Sequence, residues 1–238
     1  MRRLFVLGIL LVIVCILSTI KEKRVYLYLT SDDGPLVWSK NLSEVVNRAQ
    51  VPVTLFLVGS PVNINHHLKK YLNILKKNKN LLLCNHSFSH AYFHYKKYYK
   101  DPKGVEKDFL KNQKFLELNC SFGRLPGRNI WFLKKYQNKI GSNEYKCAKR
   151  LYKNGYLIFG WDVEWRYNFR GFKNMSADEL YSKIKEEIKE NKKRDIVILM
   201  HDWSFKSKES KKEFLKFVEL VKFDPLLEFK SLKEYRGH

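Results

Sequence analysis

Five short, almost uninterrupted apolar runs (residues 25–29, 53–58, 81–84, 156–161 and 196–200) alternate along this chain with amphipathic stretches. A strand with one wet face alternates apolar and polar residues. One buried on both faces does not, and such strands belong to parallel sheets covered by helices. The intervening stretches carry helical spacing: Leu42, Val45, Val46 and Ala49, then Leu68, Tyr71, Leu72 and Leu75, then Val105, Phe109 and Leu116. Ser176 and Glu179 read as a capping box opening a helix with Leu180, Ile184 and Ile188 inward; Phe214, Val218 and Val221 line a last long helix. The expectation is an α/β sheet or barrel built from right-handed crossovers. In such folds reactive residues gather at the carboxyl ends of the strands.

The 238 residues suit one sizeable domain, and 45% hydrophobic with 15% aromatic residues is enough apolar material to exclude a disordered chain. Arg2 and Arg3 precede an uncharged run over residues 4–20, with Lys21 to Arg24 following at once. Its length is at the lower limit for a membrane span, and Ser18-Thr19-Ile20 is a poor cleavage site. The division expected is an uncleaved signal-anchor over residues 1–21 and an exported body over 22–238. A cleaved signal peptide, giving a secreted or periplasmic protein, is the second reading. The anchor would make the membrane a partner. The basic run after the apolar segment weakens an N-in orientation.

Lys and Arg number 46 against 24 Asp and Glu, for a net charge of +22. Such a surface suits nucleic acid, an anionic membrane or an anionic wall polymer. Abundant Lys, Asn, Tyr, Phe and Ile together also follow from AT-rich coding, so charge alone names no partner. No nucleic-acid motif accompanies it, and no protein partner is inferable. Beyond the apolar run lie Cys84, Cys120 and Cys147, without CxxC spacing. One bridge, Cys84 with Cys120, is favoured over the other pairings because both fall near strand termini; three free thiols are the alternative.

The polar clusters fall where the fold argument asks for them. Residues 25–29 run into Thr30-Ser31-Asp32-Asp33-Gly34-Pro35, and 81–84 into Asn85-His86-Ser87-Phe88-Ser89-His90. Two adjacent carboxylates point in different directions, so one can ligate a metal while the other takes a proton; two imidazoles four apart can meet one ion. Either motif alone is weak, since Asp-Asp-Gly-Pro is usually a plain turn. His66, His67 and His94 read as surface residues. Arg124-Leu125-Pro126-Gly127 follows Phe122-Gly123, Asp162-Val163-Glu164-Trp165 follows the 156–161 run, and His201-Asp202 follows 196–200.

In this order TSDDGP, NHSFSH, RLPG, WDVEW and LMHD resemble the five motifs of the polysaccharide deacetylases, the NodB-homology group of carbohydrate esterases; residues 51–59 also resemble that family's second strand. The resemblance spans about residues 25–235. It implies a distorted (β/α) barrel of about seven strands and one divalent metal ion, zinc foremost, with cobalt, nickel or manganese also compatible. The ligands it implies are Asp33, His86 and His90. It casts Asp32 as base, His201 as acid and Arg124 as the partner orienting Asp32. Leu199 and Trp165 would shape a pocket for the acetyl methyl, and the Gly127 N–H would bind the oxyanion. Three protein ligands leave an open position at which water becomes acidic enough to attack near neutral pH.

Three departures stand out. Ser31 replaces an aromatic before the Asp pair. Gly127 stands where a bulky residue is common. Asp162 and Glu164 compete to tune His201, with Glu164 slightly favoured; a structural salt bridge is the alternative for either. The activity implied is hydrolysis of the acetamide of N-acetylated sugars in an extracytoplasmic glycan, such as peptidoglycan, a surface polysaccharide or chitin-like oligosaccharides, with release of acetate. A silent glycan-binding relative is the rival reading.

Overall fold

The computed structural model describes residues 24–166 and 174–236. The anchor or signal peptide expected at the N-terminus lies outside these residues. In chain order the strands are β1 (Val25–Asp32), β2 (Val53–Leu57), β3 (Leu81–Asn85), β4 (Phe122–Gly123), β5 (Leu157–Ile158), β6 (Val163–Glu164), β7 (Asp195–His201) and β8 (Leu227–Phe229). The α-helices are α1 (Ser39–Ala49), α2 (Ser60–Ile64), α3 (Lys69–Lys77), α4 (Tyr95–Tyr98), α5 (Pro102–Leu116), α6 (Asn143–Lys153), α7 (Ala177–Asn191) and α8 (Lys208–Phe223).

Seven strands form a path in the order β5-β4-β3-β2-β1-β7-β6, with β8 paired to the start of β1. Every pairing is parallel. Among the described residues the path does not close between β5 and β6, so the barrel they form is open on one side, in keeping with the distorted barrel expected. All five apolar runs contain a strand, though the 156–161 run contributes only the two residues of β5. Of the three strands without such a run, β4 and β6 have two residues each and β8 three, too short to leave a hydrophobic period.

β7 shows why the central runs lack alternation: its first six residues are all buried. Leu27, Leu29, Ile196, Ile198 and Met200 pack with Leu42, Val46, Phe214 and Val218 of α1 and α8. The alternate residues Tyr28, Phe56, Cys84, Phe159 and Val197 form a second cluster with Trp131 and Leu232 inside the curved sheet. Each fully buried aliphatic side chain contributes about 1.5–3 kcal/mol, so both faces stabilise the sheet. The α7 capping box forms as expected: Glu179 N donates to Ser176 Oγ at 3.2 Å and Ser176 N to Glu179 Oε2 at 2.6 Å. α5 starts at Pro102, with Asp101 Oδ1 accepting from Gly104 N at 3.0 Å.

Cys84 and Cys120 are disulfide-bonded and Cys147 is a buried free thiol, so the favoured pairing is the one formed. The bond joins the end of β3 to the approach to β4, strands that share only the Asn85–Gly123 pair. Buried amides complete that junction. Asn85 Nδ2 donates to Phe109 O and Gln113 Oε1, while Asn85 Oδ1 accepts from Ser87 N and Asn112 Nδ2. Because the sheet is parallel, β1, β3, β4, β6 and β7 end on the same rim.

Candidate active site

Asp32 closes β1 and sits opposite His201 of β7 in register, with Asp33 next in the chain. Asp33 takes φ = 74°, a left-handed conformation uncommon for a residue other than glycine. His86 and His90 follow β3 on a loop in which Ser87 and His90 have positive φ. His90 Nε2 is 3.2 Å from Asp33 Oδ1, and His86 Nε2 is 3.7 Å from the same oxygen and 3.6 Å from Asp32 Oδ2. One ligand atom from each of Asp33, His86 and His90 falls within a 4.8 Å group.

The donor set fits a divalent cation. The His86 ring meets the Arg124 carbonyl through Nδ1 at 2.8 Å, which puts the proton on Nδ1 and leaves the Nε2 lone pair facing the carboxylates. Burial pushes the His86 pKa down, against the opposing pull of Asp32, and so favours the neutral ring a ligand must be. Burial also works to raise the Asp33 carboxyl. The His90 hydrogen bond and the charges of His86, His90 and His201 outweigh it and hold the group well below the usual carboxylate range.

Arg124 is fully buried. Its Nη1 donates to Asp32 Oδ1 at 3.0 Å and Thr30 Oγ1 at 2.8 Å, its Nη2 to Gly160 O at 2.7 Å, and its Nε to Phe159 O at 3.1 Å. The guanidinium also lies 4.4 Å from the Phe56 ring centroid. A buried cation is tolerated only when paired and bonded on this scale. Arg124, which follows β4, therefore ties the end of β1 at Asp32 to the Phe159–Gly160 segment after β5, with Asp32 Oδ2 left toward His86.

Residues 19–124 match the family model described as polysaccharide deacetylase. A peptidoglycan-N-acetylglucosamine deacetylase from Bacillus cereus is 27% identical over 188 residues, covering 76% of this chain and 61% of that protein. Over residues 19–124, just under half of its length, the chain is similar to the polysaccharide deacetylases. It spans about 61% of the length of that curated relative, and the family match ends at Arg124, before WDVEW and LMHD. The fold agrees. The catalytic domain of a peptidoglycan N-acetylglucosamine deacetylase from Eubacterium rectale superposes with a TM-score of 0.62 at 20% identity, covering 90% of this chain and 91% of that one. A Streptococcus mutans CE4 esterase gives 0.67 at 19%, covering 87% and 86%. A CE4 family pseudoenzyme from Bacillus anthracis gives 0.62 at 14%, covering 90% and 65%, so the fold alone does not establish turnover.

A cavity of about 710 Å³ opens over the rim, lined by Asp32, Asp33, His86, His90, Gly127, Glu164, Leu199 and His201 among others. Two of the expected site residues lie elsewhere. Trp165 is 1% exposed, stacks on Phe214 at 6.4 Å and donates from Nε1 to Met175 O, so it belongs to the core against α8 and does not line the cavity. Asp162 is also outside it. Its Oδ1 pairs with Lys193 Nζ at 2.6 Å and its Oδ2 accepts from Val197 N at 2.7 Å, the structural salt bridge that was the alternative reading. Glu164 borders the cavity with His201, the two ending adjacent strands.

The cavity also holds aromatics that motif reading passed over: Tyr95, Trp161 and Trp203. Trp203 stacks on His201 with ring centroids 5.1 Å apart, and an aromatic immediately after the last motif was the only signal for it. Tyr95 had none, because its position depends on how the loop after His90 folds. Gly127 explains its place. The residue has φ = 62°, and a Cβ there would lie 2.9 Å from the Tyr95 ring, so the ring occupies the space a larger residue would need. His66, His67 and His94 are exposed, as expected of surface residues.

Asp202 was read only as part of a motif, yet it holds the first motif in place. Its Oδ2 accepts from Ser39 Oγ at 2.7 Å and Leu36 N at 3.1 Å, while Oδ1 is buried without a hydrogen-bond partner. Burial pushes its carboxyl up to about 7, and Asp33 adds to the rise. A carboxyl raised in the fold contributes stability fully below the unfolded value near 4, and loses it as pH rises through about 7. Metal-free protein should therefore lose at most about 4 kcal/mol of stability from this group between pH 4 and 8. Asp202→Asn should flatten that part of the profile in denaturant titrations; an unchanged profile would remove Asp202 as its source.

Proposed function

We propose that this chain hydrolyses the acetamide of N-acetylated sugars in an extracytoplasmic glycan, releasing acetate and leaving the free amine. The observation that carries this reading is the meeting of Asp33, His86 and His90 beside the Arg124-bound Asp32, on a cavity that also contains His201. Asp33, His86 and His90 would hold a divalent cation, zinc foremost. When bound, such a cation supplies Lewis-acid polarisation of the acetamide carbonyl and acidifies water.

The remaining work falls to the chain. Asp32, fixed at Oδ1, takes through Oδ2 a proton from the water that attacks the carbonyl carbon. The Gly127 N–H is assigned to the oxygen that becomes negative. His201, opposite Asp32 across one strand spacing, gives a proton to the sugar nitrogen as the C–N bond breaks. Leu199 and Trp161 enclose the methyl. Glu164 is the acid assigned to His201.

Acetate release from a panel of peptidoglycan, a surface polysaccharide and chitin-like oligosaccharides tests this reading. Chelator treatment should abolish release, and zinc, cobalt, nickel or manganese returned singly should restore it. Glycan retention without acetate under every metal would leave a silent binding relative.

The extracytoplasmic assignment is supported by the Cys84–Cys120 disulfide, which persists in oxidising compartments, and by the apolar run at residues 4–20. We assign that run as an anchor, with residues 22–238 as the deacetylase domain. Among the described residues no helix is long and apolar enough to cross a membrane. Full-length protein should stay with membranes through a high-salt wash. A soluble form beginning near Lys21 would show cleavage instead.

A further inference from the structure

His90 begins a stretch of four consecutive non-glycine residues in the left-handed region: His90 (φ 50°), Ala91 (57°), Tyr92 (44°) and Phe93 (61°). Left-handed backbone costs about 1–2 kcal/mol for each L-residue and normally occurs singly. Such strain persists only when the surroundings over-determine it, and it gathers at functional sites. Here the surroundings do so. His90 N donates to Ser87 Oγ at 3.0 Å, Ala91 N to Ser89 Oγ at 3.1 Å and Tyr92 N to Ser89 O at 2.9 Å. Ser89 Oγ is itself anchored to Asp108 Oδ2 at 2.8 Å, and the Ala91 side chain is buried.

The turn achieves two things. It brings His90 to Asp33, and it lifts two aromatic rings into solvent: Tyr92 is 62% and Phe93 76% exposed. A single exposed ring needs no explanation, but apolar side chains gathered at the mouth of a cavity mark an interaction site. Both line the same cavity as Asp33 and His90, and so does Ile64, 79% exposed at the end of α2. Phe93 meets the His90 ring edge-on at 5.2 Å, so the outer rings continue directly from the candidate ligand. At about 710 Å³ the cavity lies within the range that buries a whole drug-sized molecule, well beyond one acetamide. The outer lip formed by Pro61, Ile64, Tyr92 and Phe93 carries no charge on a chain of net charge +22. An uncharged lip with open ring faces suits the C–H face of a neutral pyranose and disfavours an anionic polymer.

We infer that Tyr92 and Phe93, presented by the left-handed turn, form a stacking platform for a pyranose that neighbours the reacting sugar in the same glycan chain. This deepens the deacetylase reading and rests on it, by assigning to Tyr92 and Phe93 the hold on the glycan next to the reacting sugar. The turn makes the platform and the candidate metal site one unit, because the same four residues set both.

The test uses binding, so that it does not depend on turnover. N-acetylglucosamine and its β-1,4 oligomers up to the pentamer are titrated into chelator-treated protein by calorimetry. The wild type should gain at least about tenfold in affinity from monomer to trimer, about one ring's stacking and burial. Tyr92→Ala/Phe93→Ala should lose that gain. Phe93→Leu, which keeps bulk beside His90 while removing the ring face, should lose part of it with an unchanged circular dichroism spectrum. Phe223→Ala, at an exposed position on α8, should keep it. A wild type with no chain-length gain, or a double variant that retains it, overturns the platform. Failure of the deacetylase reading looks different: oligomers bind with the chain-length gain, yet no metal yields acetate.

Discussion

Asp32→Asn is expected to lower acetate release by about 10²–10⁴-fold while the protein still takes up one divalent ion. The two halves of this result separate because Asp33, His86 and His90 are untouched by the change. Asn can still accept from Arg124 through Oδ1, but it cannot take a proton from water. The guanidinium keeps Thr30, Phe159 and Gly160 as partners while losing its counter-charge, and breaking a buried pair costs up to about 3–5 kcal/mol. Rates should therefore be compared well below a lowered melting temperature, with metal content measured on the same samples. Near-normal acetate release from a folded, metal-loaded variant would remove Asp32 as the base. Loss of the metal together with the activity would instead place Asp32 among the ligands, a live alternative with His86 Nε2 only 3.6 Å from its Oδ2.

The second large effect belongs to the disulfide. Cys84 and Cys120 are separated by 36 positions, and opening a loop of that size releases about 3–4 kcal/mol of unfolded-chain entropy. For a domain of this size the Cys84→Ala/Cys120→Ala protein should melt about 10 °C lower. Activity should suffer more than stability alone implies. Cys84 stands two residues before His86, Cys120 four before Arg124, and the strands they join share a single backbone pair. Without the bond, the β3–β4 junction relies on the Asn85 amide network and on His86 Nδ1 reaching the Arg124 carbonyl. Melting curves under non-reducing conditions, with metal affinity measured in parallel, check both parts. A shift under about 2 °C with unaltered metal affinity would contradict the role assigned to the bond.

The reading of Asp162 and Trp165 shows how far motif order reaches. Both sit in the WDVEW segment that resembles the fourth motif, and both are turned to structural work. Asp162 is held by Lys193 and the backbone of β7, and Trp165 is packed under α8. The cavity is bordered instead by Trp161 and Glu164 from the same segment. Spacing along the chain could not separate these four residues. Which of them reaches the rim depends on where the two-residue strand β6 pairs with β7, at Val163–Ile198 and Glu164–Leu199.

The amino-acid sequence by itself determined the parallel α/β class, because strands dried on both faces must be continuously apolar, and five such runs separated by amphipathic helices have few other ways to bury that surface. It also determined that the Asp pair, the two histidines, Arg124 and His201 would share one rim, since each follows a strand in a sheet whose strands all point the same way. Left to the tertiary structure were the short strands β4, β6 and β8, the helix α6, and the aromatic set of Tyr92, Phe93, Tyr95, Trp161 and Trp203 around the site. These depend on contacts between residues far apart in the chain, or on a backbone turn of the wrong hand. Neither leaves a period in the sequence, so packing and register alone decide them.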